Sequence, residues 1–213
     1  MLTIITRTSS RKELFLRLVK SINNQPMRRD IQQIVLADNE DAYNYASDIC
    51  FWLAKYSYRV AMVKSKSDSP GFYNLYINDG LEMVKDGWIL IVDDDDYLEG
   101  ENLSSLLYLI NDEREAKFYI VQFYRGHKVK PPVNLFANWR YKAGDSSPIV
   151  RGKIGSSCIL FRKDQCEGIL WDDKLAADYR FIKAMAEQND YVFIPSALVR
   201  ATISGNKGRD LYR

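Results

Sequence analysis

The sequence predicts an α/β domain with a mostly parallel central sheet flanked by helices. Short β-branched apolar runs alternate with segments of helical periodicity, and the clearest run, Trp88–Val92, stops abruptly at four aspartates. Alternation of this kind implies parallel strands joined by right-handed crossovers. Ligands of such sheets gather outside the carboxyl ends of the strands. The breaks to search are therefore 6–10, 37–40, 64–71 and 93–97, each of them polar.

Leu2–Thr6 reads as a buried strand. After the cap-rich Thr8-Ser9-Ser10, Phe15, Leu18, Val19 and Ile22 recur at i, i+3, i+4 and i+7, one face of a helix. Ile31–Ala37 is a second strand, Ala42–Tyr56 a helix and Arg59–Val63 a weaker strand. Ser69-Pro70-Gly71 is a turn signal, and the helix after it carries Tyr73, Ile77, Leu81 and Val84 on one face, with Gly87 near its stop. Leu103–Ile110 reads as a helix and Phe118–Tyr124 as a strand. The segment 125–153 carries Pro131, Pro132 and Pro148 without a clean period, which suits a lid. Ser157–Phe161 is a strand, Leu175, Tyr179, Ile182 and Ala186 define a helix face, and Val192–Ile194 and Leu198–Ile203 are short strands. The tail 204–213 is polar and basic.

Composition narrows the function classes. The chain has 213 residues, 30 Lys and Arg against 28 Asp and Glu, one His and three Cys. Near-balance of charge argues against a nucleic-acid partner engaged by neutralising many phosphates. One His excludes zinc sites that need two imidazoles. An odd number of cysteines without C-x-x-C spacing fits a reducing compartment. No apolar run approaches the roughly 20 residues of a membrane helix, and Met1–Arg7 does not read as a signal peptide. The expectation is a soluble, cytoplasmic monomer without an integral membrane segment.

The acidic run is where chemistry concentrates. From Asp86 to Glu101 there are seven acidic residues and no basic one. Alternation in an extended chain would turn Asp93 and Asp95 one way and Asp94 and Asp96 the other. A hard divalent cation, Mn²⁺ or Mg²⁺, neutralises such a cluster, with substrate phosphates completing its shell. The structural alternative is a solvated acidic turn whose Asp96 or Glu99 caps the next helix.

Val92-Asp93-Asp94-Asp95-Asp96 resembles the D-x-D motif of nucleotide-sugar glycosyltransferases with the GT-A (Rossmann-like) fold, especially inverting family 2. Thr3–Thr8 is similar to the first strand and nucleotide-binding loop of that family, and Arg11 and the helix ending Ile22-Asn-Asn-Gln25 follow in order. Ile34–Asn39 resembles the second strand, whose Asp38 matches the residue that meets uracil. Gly71–Gly80 resembles the G-x-Y-D-A-x-N-x-G segment, with Asn74 and Ile77 departing from it and Asn78 and Gly80 agreeing. The chain is also similar to the first domain of chlorovirus multidomain glycosyltransferases.

The resemblance implies one glycosyltransferase domain over 1–213, with a nucleotide-binding half (1–100) and an acceptor-side half (101–213) whose lid is 125–153. It implies donor contacts from Thr6, Arg7, Thr8, Arg11, Asp38, Gly71, Asn78, Asp93, Asp94 and Lys153, and metal binding by Asp95 with Asp93. A carboxylate in Trp171–Arg180 would be the base: Asp178 first, Asp172 and Asp173 as alternates, with Ala177 where the family carries Glu. Arg200, Lys207 and Arg209 are candidate diphosphate cations, and His127 reads as an ordinary polar residue. The implied reaction moves a glucose- or rhamnose-type sugar from a UDP-sugar to a glycan or other hydroxyl acceptor. Two alternatives stay open at this point: a metal-dependent phosphohydrolase of haloacid-dehalogenase type, and a non-catalytic nucleotide-sugar-binding domain.

Overall fold

A computed structural model describes residues 1–54, 57–63, 75–112, 118–125, 128–130 and 140–201. In chain order they form β1 (Leu2–Thr8), α1 (Lys12–Asn23), β2 (Ile31–Ala37), α2 (Glu40–Leu53), β3 (Ser57–Met62), α3 (Tyr76–Met83), β4 (Trp88–Ile91), β5 (Asp96–Leu98), α4 (Asn102–Asp112), β6 (Phe118–Arg125), β7 (Lys128–Lys130), β8 (Arg140–Tyr141), β9 (Ile159–Arg162), α5 (Ala177–Gln188) and β10 (Tyr191–Ala201). The strands make one sheet in the order β3-β2-β1-β4-β9-β6-β10-β5, with β7 on β6 and β8 on β10. The half from β3 to β4 is parallel; β9 runs antiparallel between β4 and β6, while β10 returns parallel to β6.

Strand alternation divides the core. Ile5, Ile89 and Ile91 face α3 and α5, where Ile77, Leu81, Phe181 and Ile182 are buried. Leu2, Ile4, Leu90 and Val92 face Leu18, Ile22, Leu103 and Leu107 of α1 and α4. Burying each such side chain contributes about 1.5–3 kcal/mol, so the three layers hold the parallel strand ends in fixed register. The predicted face of α1 is buried in full.

Three expectations need correction. Leu175 lies outside α5 and is 63% exposed; the buried face is Ala177, Phe181, Ile182, Met185 and Ala186. Ala176, just before the helix, has φ +64°, and this left-handed residue resets the phase. The two short strands at the end are one strand, β10, whose register against β6 shifts at Ile194–Ala197 and Ala197–Val199. Within the expected lid, β7 and β8 pair with the sheet, and Tyr141 stacks on Tyr191 with centroids 5.0 Å apart. The Ser69–Gly71 turn and Tyr73 lie outside the described residues.

Gly80 brings α3 close to the sheet. A Cβ there would stand 2.8 Å from Ile5 Cγ2 and 3.0 Å from Leu36 Cδ1, both in the core. Gly80→Ala is expected to cost about 1–3 kcal/mol by overpacking, despite its better helix propensity. Chemical denaturation measures it; a stabilised variant would show that α3 is free to shift.

Candidate active site

The site follows from register. Ile5 pairs with Ile91 across parallel β1 and β4, so two residues further on Arg7 comes level with Asp93. Arg7 donates to Asp93 Oδ1 from Nε at 2.9 Å and from Nη2 at 2.6 Å. Thr8 donates from its hydroxyl to Asp94 Oδ2 at 2.8 Å, and the Tyr45 hydroxyl lies 2.6 Å from the same Thr8 oxygen. Arg11, immediately before α1, spans two acids, with Nη2 on Asp94 Oδ1 and Nη1 2.5 Å from Asp95 Oδ2. Arg17 of α1 donates to the Asp95 carbonyl at 2.7 Å, its guanidinium lying over the Tyr97 ring.

The aspartates do not alternate as an extended strand would dictate. The Asp96 N–H donates to the Asp93 carbonyl at 3.0 Å, closing a turn. That turn directs Asp93, Asp94 and Asp95 together onto the arginines of β1 and α1. Asp96 departs: it is 7% exposed and accepts from the Ser157 hydroxyl at 2.9 Å. Asp96 lies in β5, and Glu99, the other candidate cap, pairs with Arg200.

Burial raises the proton affinity of Asp94 and Asp95. Burial pushes Asp94 up to about 6, aided by Asp95 and Asp93 and opposed by Arg11 and Thr8. Asp95 is raised for the same first cause, burial, with Arg11 opposing.

A second carboxylate faces this cluster from α5. Asp178 Oδ1 accepts the Tyr179 N–H at 2.7 Å, and Oδ2 lies 3.6 Å from where a Cβ on Gly155 would stand. Its pKa is raised, by burial first and also by Asp93, while the Tyr179 N–H, Arg7 and Arg180 oppose the rise. Ala177 is 2% exposed in the core, so the residue in the family's Glu position is a packing residue here. The turn 155–158 bridges the two acidic groups. Ser157 holds Asp96, Gly155 backs Asp178, and the Cys158 thiol donates to the Gly155 carbonyl at 2.7 Å. The Asp96–Ser157 bond, Tyr45 and Arg17 had no sequence signal that distinguished them from ordinary surface or core residues.

Several expected residues have other occupations. Thr6 is 0% exposed, and its hydroxyl accepts from Gln33 at 3.0 Å, so it is a core residue of the sheet. Asn78 clamps the Trp171 backbone, donating to its carbonyl and accepting its N–H, both at 2.9 Å. It positions the segment before α5 instead of facing the aspartates. Asp172 is bound two-pronged by Arg180 and accepts the Lys174 N–H at 3.0 Å; the Arg180 bond holds it below the usual carboxylate range, which suits an ion pair and not a base. Asp173 has both oxygens buried with no hydrogen-bond partner among the described residues. Asp38, half-buried at the end of β2, accepts from the Asn39 side chain at 2.6 Å. Lys153 is exposed on the turn 150–153. Arg200 pairs with Glu99 at 2.6 Å and lies over Tyr124, so it is committed to β5 and β6. Gly71, His127, Lys207 and Arg209 lie outside the described residues.

The sequence model of glycosyl transferase family 2 matches residues 3–167 of the chain. The chain belongs to glycosyl transferase family 2. Membership covers β1, the four aspartates and the 155–158 turn, and it removes the phosphohydrolase alternative. No curated protein sequence matches the chain.

Solved structures share the family 2 fold. Staphylococcus aureus TarS superposes with a TM-score of 0.75 at 18% identity, over 99% of this chain and 38% of TarS. TarS 1–349 in complex with UDP-GlcNAc gives 0.77 at 18% identity, over 96% of this chain and 59% of that one. The mannosyltransferase PcManGT from Pyrobaculum calidifontis, in complex with GDP-Man and Mn²⁺, gives 0.70 at 12%, over 97% and 58%. The chain thus spans between about two and three fifths of the length of these proteins.

Ser157→Ala removes a donor from buried Asp96 and is expected to cost about 1–3 kcal/mol in chemical denaturation. A change within about 0.5 kcal/mol, the range of ordinary surface substitutions, would show that the bond does not anchor the turn.

Proposed function

We propose that this chain transfers a glucose- or rhamnose-type sugar from a UDP-sugar to a glycan or other hydroxyl acceptor, with inversion and with the help of a divalent metal. The observation that carries the reading is the convergence of Asp178, with its raised pKa, on the Arg7–Asp93 end of the aspartate turn. A base must take a proton from the acceptor hydroxyl on the face opposite the departing nucleotide, and Asp178 comes from the acceptor-side half. Asp38 offers a carboxylate to the N3–H of uracil from the end of β2. Complexes of TarS with UDP and UDP-GlcNAc support a uridine nucleotide as donor.

The donor atoms suit Mn²⁺ or Mg²⁺. They are carboxylate oxygens; burial first, with Asp95 and Asp93 adding to it, pushes Asp94 up to about 6, and a hard cation would offset the buried negative charge. Among the described residues no group of three or more His, Cys, Asp or Glu forms a ready chelate. By the resemblance to the family motif, Asp95 with Asp93 would hold the ion, and diphosphate oxygens would fill other positions, as is usual for such ions. The ion supplies Lewis-acid stabilisation of the leaving diphosphate. Arg7 and Arg11 stand beside it to hold diphosphate oxygens, and Asp178 accepts the acceptor proton, a contribution of typically 10²–10⁴-fold.

Thermal melting with a panel of nucleotide sugars tests this reading. UDP-sugars should raise Tm by roughly 5–10 °C at a hundredfold excess over Kd, and should need Mn²⁺ to do so. Asp178→Asn should keep that shift while losing transfer by about 10²–10⁴-fold. A metal-independent shift would remove Asp95 from its role, and near wild-type transfer by Asp178→Asn would remove Asp178 from its own. Binding without transfer or slow donor hydrolysis would make the chain a sensor.

A further inference from the structure

Arg11 already does to the aspartates what a divalent ion would do. Its guanidinium bridges Asp94 Oδ1 and Asp95 Oδ2, the second contact at 2.5 Å. Asp94 is the buried partner: its side chain is 0% exposed, Oδ2 receives Thr8, and Oδ1 is paired with Arg11 by charge without a hydrogen bond among the described residues. Asp95 is the accessible partner, with 18% of its side chain exposed. Arg11 itself is the most exposed member of the bridge, at 36%, and its backbone is the N-cap of α1. Arg7, in contrast, is bound twice to one oxygen of Asp93 and is 19% exposed.

Charge counting shows what such a bridge does to ligand binding. Arg7 and Arg11 bring two positive charges to three carboxylates. A divalent ion entering alone makes four positive charges against three negative, and meets Arg11 on the oxygen of Asp95 it needs. A nucleoside diphosphate entering alone finds Arg11 turned towards the aspartates. When both enter, the ion takes Asp95 and Arg11 turns outward to the diphosphate, so that each of the two cations keeps an anionic partner.

We propose that Arg11 is an exchange cation: it holds Asp95 until a divalent ion replaces it, then turns to the diphosphate, so that metal and nucleotide each favour the binding of the other. The proposal rests on the metal and donor reading given above. Coupling of this kind is reciprocal by thermodynamic necessity.

The test is Mn²⁺ binding to the intact chain, followed by electron paramagnetic resonance of free Mn²⁺, with and without UDP. In the wild type, Mn²⁺ alone should bind weakly and UDP should tighten it about tenfold or more. Arg11→Gln should tighten Mn²⁺ in the absence of UDP by about tenfold, because the competing cation is gone, and should weaken UDP in the presence of Mn²⁺, where Arg11 would be turned to the diphosphate. Arg11→Lys keeps the charge but cannot bridge two carboxylates side by side, so it should lie between them; it also serves if the Gln variant does not fold. Mn²⁺ binding without UDP that is unchanged or weaker in both folded variants would overturn the exchange role while leaving the metal reading intact. Absence of Mn²⁺ binding to the wild type even with UDP would overturn both.

Discussion

The structure depends on neutralising the acids at the end of β4. A buried apolar strand delivers four consecutive carboxylates, of which Asp94 and Asp96 are buried, and unpaired charge there is costly. Arg7, Thr8 and Arg11 meet that demand because parallel pairing brings the end of β1 level with the end of β4. The same register that builds the core therefore builds the site. In the proposed function, this group would exchange its own arginines for an incoming cation and a diphosphate.

Asp178 and the start of α5 are held in place by backbone devices more than by charge. Asn78 fixes Trp171, whose ring stacks on Phe181 with centroids 4.8 Å apart. Ala176 accepts a left-handed conformation that L-residues adopt at a cost of about 1–2 kcal/mol, and Asp178 follows in the first turn of α5. The 155–158 turn then joins Asp178 to Asp96. Strain and buried polar bonds of this sort accumulate where a site must be held in one geometry.

Much of this was legible in the sequence. The apolar face of α1, the span of β2 and the run Trp88–Val92 are strong periodic signals, and the parallel half of the sheet follows from them. The grouping of Arg7, Thr8 and Arg11 with Asp93–Asp95 came from the ordered resemblance to family 2. What was not legible depends on single backbone events. One i to i+3 bond turns Asp93–Asp96 out of alternation, and one left-handed alanine shifts the face of α5 from Leu175 to Phe181. Tertiary partners also reassigned residues that matched the family pattern: Gln33 claims Thr6, the Trp171 backbone claims Asn78, and Arg180 claims Asp172. Gln33 and Trp171 lie 27 and 93 residues from the groups they claim and Arg180 lies 8 away, and neither periodicity nor motif spacing reports such pairings.

The central claim is that one crevice binds metal and diphosphate between the aspartate turn and Asp178. A crystal structure with Mn²⁺ and UDP, using the anomalous signal of the metal, measures this directly. The ion should lie at oxygen-ligand distance, roughly 2.1 Å, from Asp95, bridging to the diphosphate, with Asp178 across the crevice. An ion bound away from Asp93–Asp95, or a nucleotide seated elsewhere than the ends of β1, β2 and β4, would contradict the account.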